Sequence, residues 1–188
     1  MTQPSHTQVD LHQEELAIRR AGTLSLLLCA LCFGLGYVIL PLVFEFPTEL
    51  LNRLAFALQA SVFVLIWVLV GVVMVSTGRR KSLEDVGGSA SGPPSEKIAV
   101  SVAFLQNTLE QAVLAVGANL ALATWLSGPW LSLIVTAVVL FGVARLLFLR
   151  GYRRDQQRAK GRAFGMTLTM WPTLAGYLLV IALILIPS

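Results

Sequence analysis

Few residues in this chain have chemistry to offer, and most of them lie in apolar surroundings. One carboxylate, Glu110, falls inside a long apolar stretch, in the run Phe104-Leu105-Gln106-Asn107-Thr108-Leu109-Glu110-Gln111. At helical periodicity Asn107, Glu110, Gln111 and Leu114 share one face. A carboxylate in hydrocarbon needs a cation or several donors. Arg145, inside another apolar stretch, is the expected partner, and Phe148, Leu149 and Tyr152 follow on its face at i+3, i+4 and i+7. A buried Glu110–Arg145 pair would lock two helices together. The same groups could equally form the floor of a pocket open toward the basic end of both helices. Arg79, Arg80, Arg153, Arg154, Arg158 and Arg162 surround that end. Cations there suit anionic lipid headgroups, and they also suit an anionic ligand held by paired hydrogen bonds.

Cys29 and Cys32 form a C-x-x-C pair, a spacing used in redox and metal chemistry. No His or acidic residue accompanies them in their apolar stretch, so they read as small apolar packing residues. His6 and His12 belong to a polar N-terminal segment. No metal site is expected, and neither a phosphate-binding glycine loop nor a G-x-S-x-G nucleophile motif is present.

The elements that must position these groups follow from composition. The chain has 188 residues, of which 56% are hydrophobic and only 13% charged, with a mean hydropathy of +0.76. An ordinary soluble domain carries about 25% charged residues. The balance indicates an integral membrane protein and excludes disordered, collagen-like and disulfide-scaffold classes. A bilayer core about 30 Å thick needs roughly 20 apolar residues in a helix. Five stretches qualify, at about 23–44, 54–77, 98–126, 130–149 and 164–186. The first exceeds the roughly 7–15 apolar residues of a signal peptide and reads as a retained helix, bent near Pro41. The division that follows is a polar tail over 1–21, a first membrane helix over 22–45, and a four-helix membrane unit over 52–188.

Basic residues are distributed one-sidedly. Arg19, Arg20, Arg79, Arg80, Lys81, Lys97, Arg150, Arg153, Arg154, Arg158, Lys160 and Arg162 fall on one side of a five-span chain, and Arg53 alone falls on the other. By the positive-inside rule the N-terminus is expected in the cytosol and the C-terminus across the membrane. This suits a multi-pass protein of a bacterial inner membrane, with the bilayer and lipophilic small molecules as partners and no nucleic acid.

From about residue 54 onward, the ordered features resemble the MAPEG family, the membrane-associated proteins in eicosanoid and glutathione metabolism. They are a helix ending Gly78-Arg79-Arg80, a Gly92-Pro93-Pro94 loop, Asn107-x-x-Glu110, a Gly128-Pro129 turn, and a helix ending in Ala144-Arg145-Leu146-Leu147-Phe148-Leu149-Arg150-Gly151-Tyr152. The resemblance implies an all-α four-helix bundle, here with one extra N-terminal helix, that assembles as a homotrimer. It also implies glutathione bound between subunits by Arg79, Arg80, Asn107, Glu110, Arg145 and Tyr152. Arg158 would stabilise the thiolate of a transferase or peroxidase acting on lipophilic substrates. Ala103 stands where glutathione-binding members carry Arg, and Phe148 stands where they carry Tyr. A non-catalytic trimer that binds a lipid, an anionic ligand or a partner protein is the alternative.

Overall fold

The computed structural model describes residues 11–154 and 160–186. Its five α-helices are α1 (Leu11–Val43), α2 (Leu50–Arg80), α3 (Glu96–Trp125), α4 (Ser132–Arg154) and α5 (Lys160–Leu185). All five are long and apolar enough to cross a membrane. No strand occurs among the described residues. The connections follow local chemistry. Pro93 and Pro94 cannot extend a helix backward, so α3 starts after them with Ser95 as its extended N-cap. Pro129 opens a single 3₁₀ turn, Gly128–Leu131, that leads into α4.

Helix α1 begins at Leu11, well before its apolar run, so half of the expected polar tail is helical. Arg19 pairs with Glu15 one turn earlier at 2.6 Å, the i, i+4 spacing that supports an exposed helical turn. Pro41 lies in the last turn of α1.

Three apolar clusters hold the helices together. One joins Ala57 of α2, Leu122 and Ala123 of α3, Leu131, Ile134 of α4 and Val180 of α5. A second joins Val64, Ala112, Ala115 and Phe141 at mid-bundle. The third, built on Cys29, Leu140, Ala144 and Leu168, ties α1 to α4 and α5. Helices α4 and α5 approach so closely at Gly165 that a Cβ there would collide with the backbone nitrogen of Phe148. Small residues are what permit such contact in lipid, where close packing rather than water exclusion holds helices together.

Helix α1 rests on α5 at one end and on α4 at the other. Near the basic end, Ser25 Oγ donates to Thr167 Oγ1 at 2.8 Å, and the Trp171 indole donates to the Gly22 carbonyl at 3.1 Å. Toward the opposite end, Gly36 meets Thr136 of α4, where a Cβ would strike the hydroxyl. Tyr37 and Trp130 stack there with ring centroids 4.7 Å apart. The thiol of Cys29 lies 3.9 Å from the Leu168 carbonyl of α5. Pro172, one turn later, has no N–H to offer that carbonyl, so the thiol stands in as a weak donor. The packing role expected for Cys29 is therefore what the fold displays.

Candidate functional site

The centre of the bundle at its basic half is built on Arg145, whose side chain is fully buried. Nη1 donates to Asn107 Oδ1 of α3 at 2.8 Å. Nη2 donates to Thr169 Oγ1 of α5 at 2.5 Å and to the Gly165 carbonyl at 3.5 Å. The guanidinium carbon lies 4.8 Å from the Phe148 ring centroid and 5.5 Å from that of Phe141. One residue of α4 thus binds α3 and α5 at once. Cation–π contact is worth most when desolvated, at about 2 kcal/mol or more. That contribution helps a charge stay in a dry interior with neutral acceptors only.

The expected Glu110–Arg145 pair does not form. Among the described residues no carboxylate lies within ion-pair distance of Arg145. Glu110 points outward from α3 and accepts a hydrogen bond from Gln106 Nε2 at 3.3 Å. The reason is helical phase. The buried stripe of α3 runs through Phe104, Thr108, Ala112, Ala115, Ala118, Asn119 and Leu122. Asn107 borders that stripe, whereas Glu110 falls with exposed Gln106, Leu109 and Val113. A neutral amide therefore reaches the guanidinium and the carboxylate does not.

Tyr152 belongs to an aromatic column that continues from the Arg145 centre. Phe104 and Phe148 stand 6.3 Å apart, and Phe148 meets Tyr152 edge-on at 5.4 Å. Arg162 of α5 lies over the Tyr152 ring at 4.6 Å. Phe148 keeps the ring of the motif, and its missing hydroxyl leaves this column apolar until Tyr152.

Arg79 and Arg80 lie apart from Arg145, at the end of α2. They line a groove of about 350 Å³ with Val75, Ser76, Val86 and Leu105. Arg79 Nη2 donates to Ser89 Oγ at 2.7 Å, while its buried Nε has no partner among the described residues. Asp85 organises the adjoining loop: its two carboxylate oxygens accept from the Ser95 amide at 2.8 Å and the Ser95 hydroxyl at 2.6 Å. The nearby Ser82 hydroxyl, though short of hydrogen-bond geometry, and then the Ser95 amide and hydroxyl hold this carboxyl below its ordinary pKa.

The structure therefore brings Asn107, Arg145 and, through Phe148, Tyr152 into one assembly. It leaves Arg79 and Arg80 at the rim and turns Glu110 to the outside. Arg158 lies outside the described residues. Arg162, expected among the cations at the basic end, lies over Tyr152, and Thr169, Phe141 and Asp85 are additional participants. Of these, Thr169 had a signal in the sequence: Gly165 and Thr169 repeat at i, i+4 in an apolar helix, which marks a close and polar helix contact.

Five apolar helices around a buried arginine, whose two Nη groups are bonded within the bundle while its Nε has no partner among the described residues, define a helical, multi-pass membrane protein. The sequence pattern described as the MAPEG family matches residues 54–182, and the chain belongs to that family. Helix α1 lies outside the matched span. No curated protein and no solved structure matches the chain.

Proposed function

We propose that the protein is a glutathione-dependent transferase or peroxidase for lipophilic substrates, with a site completed between the subunits of a homotrimer. The observation that carries this reading is Glu110. It sits mid-way along a membrane-crossing helix yet faces outward beside exposed Leu109 and Leu114. An ionisable group facing hydrocarbon is costly, so that face calls for cover by another subunit and for a cation. The ammonium of glutathione is such a cation. Its carboxylates suit the groove lined by Arg79 and Arg80, two guanidinium groups that can donate paired hydrogen bonds. Asn107 retains its amide N–H₂ for a ligand, because only its carbonyl oxygen is used by Arg145.

In the transferase step, the thiolate sulfur attacks an electrophilic carbon, a C–S bond forms, and the leaving group departs with its electron pair. Arg158 favours the thiolate by placing positive charge near sulfur. Tyr152, half-buried, would stand beside the ligand, and Arg145, fully buried, would hold Asn107 in place from behind.

A second reading, a non-catalytic family member, draws on one observation. Arg145 is already engaged by Asn107, Thr169 and two rings, so it works as a helix staple without a ligand. Thermal melting in detergent with millimolar glutathione separates the two. A ligand at 100 times its dissociation constant stabilises by about 2.7 kcal/mol. The enzyme reading expects a rise in Tm that Glu110→Gln abolishes while the variant keeps its fold and trimeric mass. An absent shift in the wild type, or an equal shift in Glu110→Gln, would overturn it.

A further inference from the structure

An apolar space lies in the half of the bundle away from the basic loops, and none of the residues discussed above for ligand binding lines it. It has a volume of about 240 Å³ and is bounded by all five helices, through Phe33, Val64, Asn119, Phe141, Pro172 and Leu179 among others. Phe33 comes from α1, so the helix outside the family span completes the wall. An engineered apolar cavity of roughly 150 Å³ stays dry and takes up benzene. The present space accommodates one ring with a short substituent.

Two features mark it as a site and not merely a packing defect. The first is Asn119, only 4% exposed, whose amide lines the cavity. Its single hydrogen bond runs from Nδ2 to Ser61 Oγ at 3.4 Å, and its carbonyl oxygen accepts none. A buried amide with an unused end in a dry cavity costs free energy unless something occupies it. The second is access. Helix α1 touches α5 at Gly22, Ser25 and Cys29 but touches α4 at Gly36 and the 3₁₀ turn before it at Tyr37, and so leaves α5 along its length. Ala175 and Leu179 of α5, both cavity-lining, are exposed at that divergence, which opens the space sideways at membrane depth.

We infer that this cavity binds an uncharged, membrane-partitioned lipophile of one ring and a short substituent, whose single hydroxyl or carbonyl pairs with Asn119. Phe33 and Phe141 supply ring contacts, and the other walls supply alkyl contacts. A charged ligand is disfavoured, because the polar side chains that line the space, Asn119, Thr169 and Thr173, are all uncharged. The inner end of the cavity is Thr169, the residue that holds Arg145, so an occupant lies one side chain from the buried guanidinium. The inference stands independently of the glutathione reading.

The probes are 4-(trifluoromethoxy)phenol and (trifluoromethoxy)benzene, followed by ¹⁹F NMR on the full chain in lipid nanodiscs. A saturable resonance, one per subunit and distinct from the lipid-dissolved signal, is expected for both. The phenol should bind about five-fold more tightly, the size of one net hydrogen bond. Asn119→Leu should erase that preference while keeping the saturable signal of the arene. Ala137→Phe, which fills the cavity, and Ala175→Phe, which blocks the side opening, should remove the resonance for both probes. If Ala137→Phe does not fold, Ala175→Phe on the exposed face still decides. Purely non-saturable partitioning, or a saturable signal that the filling and blocking variants leave intact, would overturn the site. An undiminished phenol preference in Asn119→Leu would overturn the role of the amide.

Discussion

Replacing Asn107 by alanine removes the only α3 acceptor of the buried Arg145 guanidinium. A hydrogen bond to a charged group contributes about 1.5–3 kcal/mol in soluble proteins. Between membrane helices the measured values run lower, averaging about 0.6 and reaching about 1.7 kcal/mol, because partly unfolded states in lipid find other partners. The charged donor, the 2.8 Å distance and the complete burial place this bond at the upper end, and we expect Asn107→Ala to cost about 1.5–2 kcal/mol. Arg145→Met removes the cation and fills most of its volume. Buried charges replaced by apolar groups of similar size are often neutral in stability. In the double variant the loss at Asn107 should therefore largely disappear, giving a coupling energy near 1.5 kcal/mol. Reversible unfolding in mixed micelles of rising SDS content, read by circular dichroism, measures all four corners of the cycle. Glu110→Ala combined with Arg145→Met is the matched control and should be additive, since the two side chains do not meet. A coupling of Asn107 with Arg145 below about 0.5 kcal/mol, the ordinary error of additivity, would refute the staple. So would coupling of Glu110 with Arg145.

Two further outcomes are expected. Gly36→Leu should drive α1 off α4 by collision with Thr136, seen as faster cysteine labelling at Cys29 and Cys32 with α2 to α5 still assembled; unchanged labelling would mean that α1 is not held at this contact. The Asp85 carboxyl is held below its ordinary pKa, so its contribution is complete above about pH 4 and is lost as pH falls through the native value. Hydrogen exchange in the 81–95 loop should stay constant from neutral pH down to about pH 4, once corrected for intrinsic rates, and rise below it. Asp85→Asn should exchange fast at every pH, and a wild-type profile in that variant would remove Asp85 from the account.

The five helices were legible because a bilayer demands about 20 apolar residues per span, a requirement few other folds impose. Their ends were less so. Leu11 begins α1 because the Glu15–Arg19 pair carries the helix on through a mostly polar stretch, a contribution invisible to hydropathy. At the site, Arg145 was recognisable as a group needing a partner, and Asn107 and Glu110 were both in view. Charge complementarity favoured the carboxylate, but the phase of Ala112, Ala115 and Ala118 turns Asn107 inward and Glu110 out. Small residues mark the contact face of a membrane helix, and that pattern decides where charge does not. For Thr169 the i, i+4 repeat with Gly165 marks only a close contact: its role depends on the closeness of α4 and α5 at Gly165, which is a property of two helices and not of either alone.

The bond between Cys29 and Leu168 has a consequence for the order in which this protein can be completed. Three polar groups of α1, Ser25, Cys29 and the Gly22 carbonyl, find partners 142, 139 and 149 residues later, all on α5. During synthesis these groups must therefore wait in the bilayer until α5 has emerged and crossed, although the far end of α1 can already rest on α4. Conversely α5 arrives with a proline-vacated carbonyl that no earlier-made neighbour but α1 is placed to receive. An unsatisfied carbonyl in hydrocarbon costs several kcal/mol. Assembly of the bundle thus ends where the chain began, and excising the first helix would leave a helix of the family unit with an open backbone bond in the membrane.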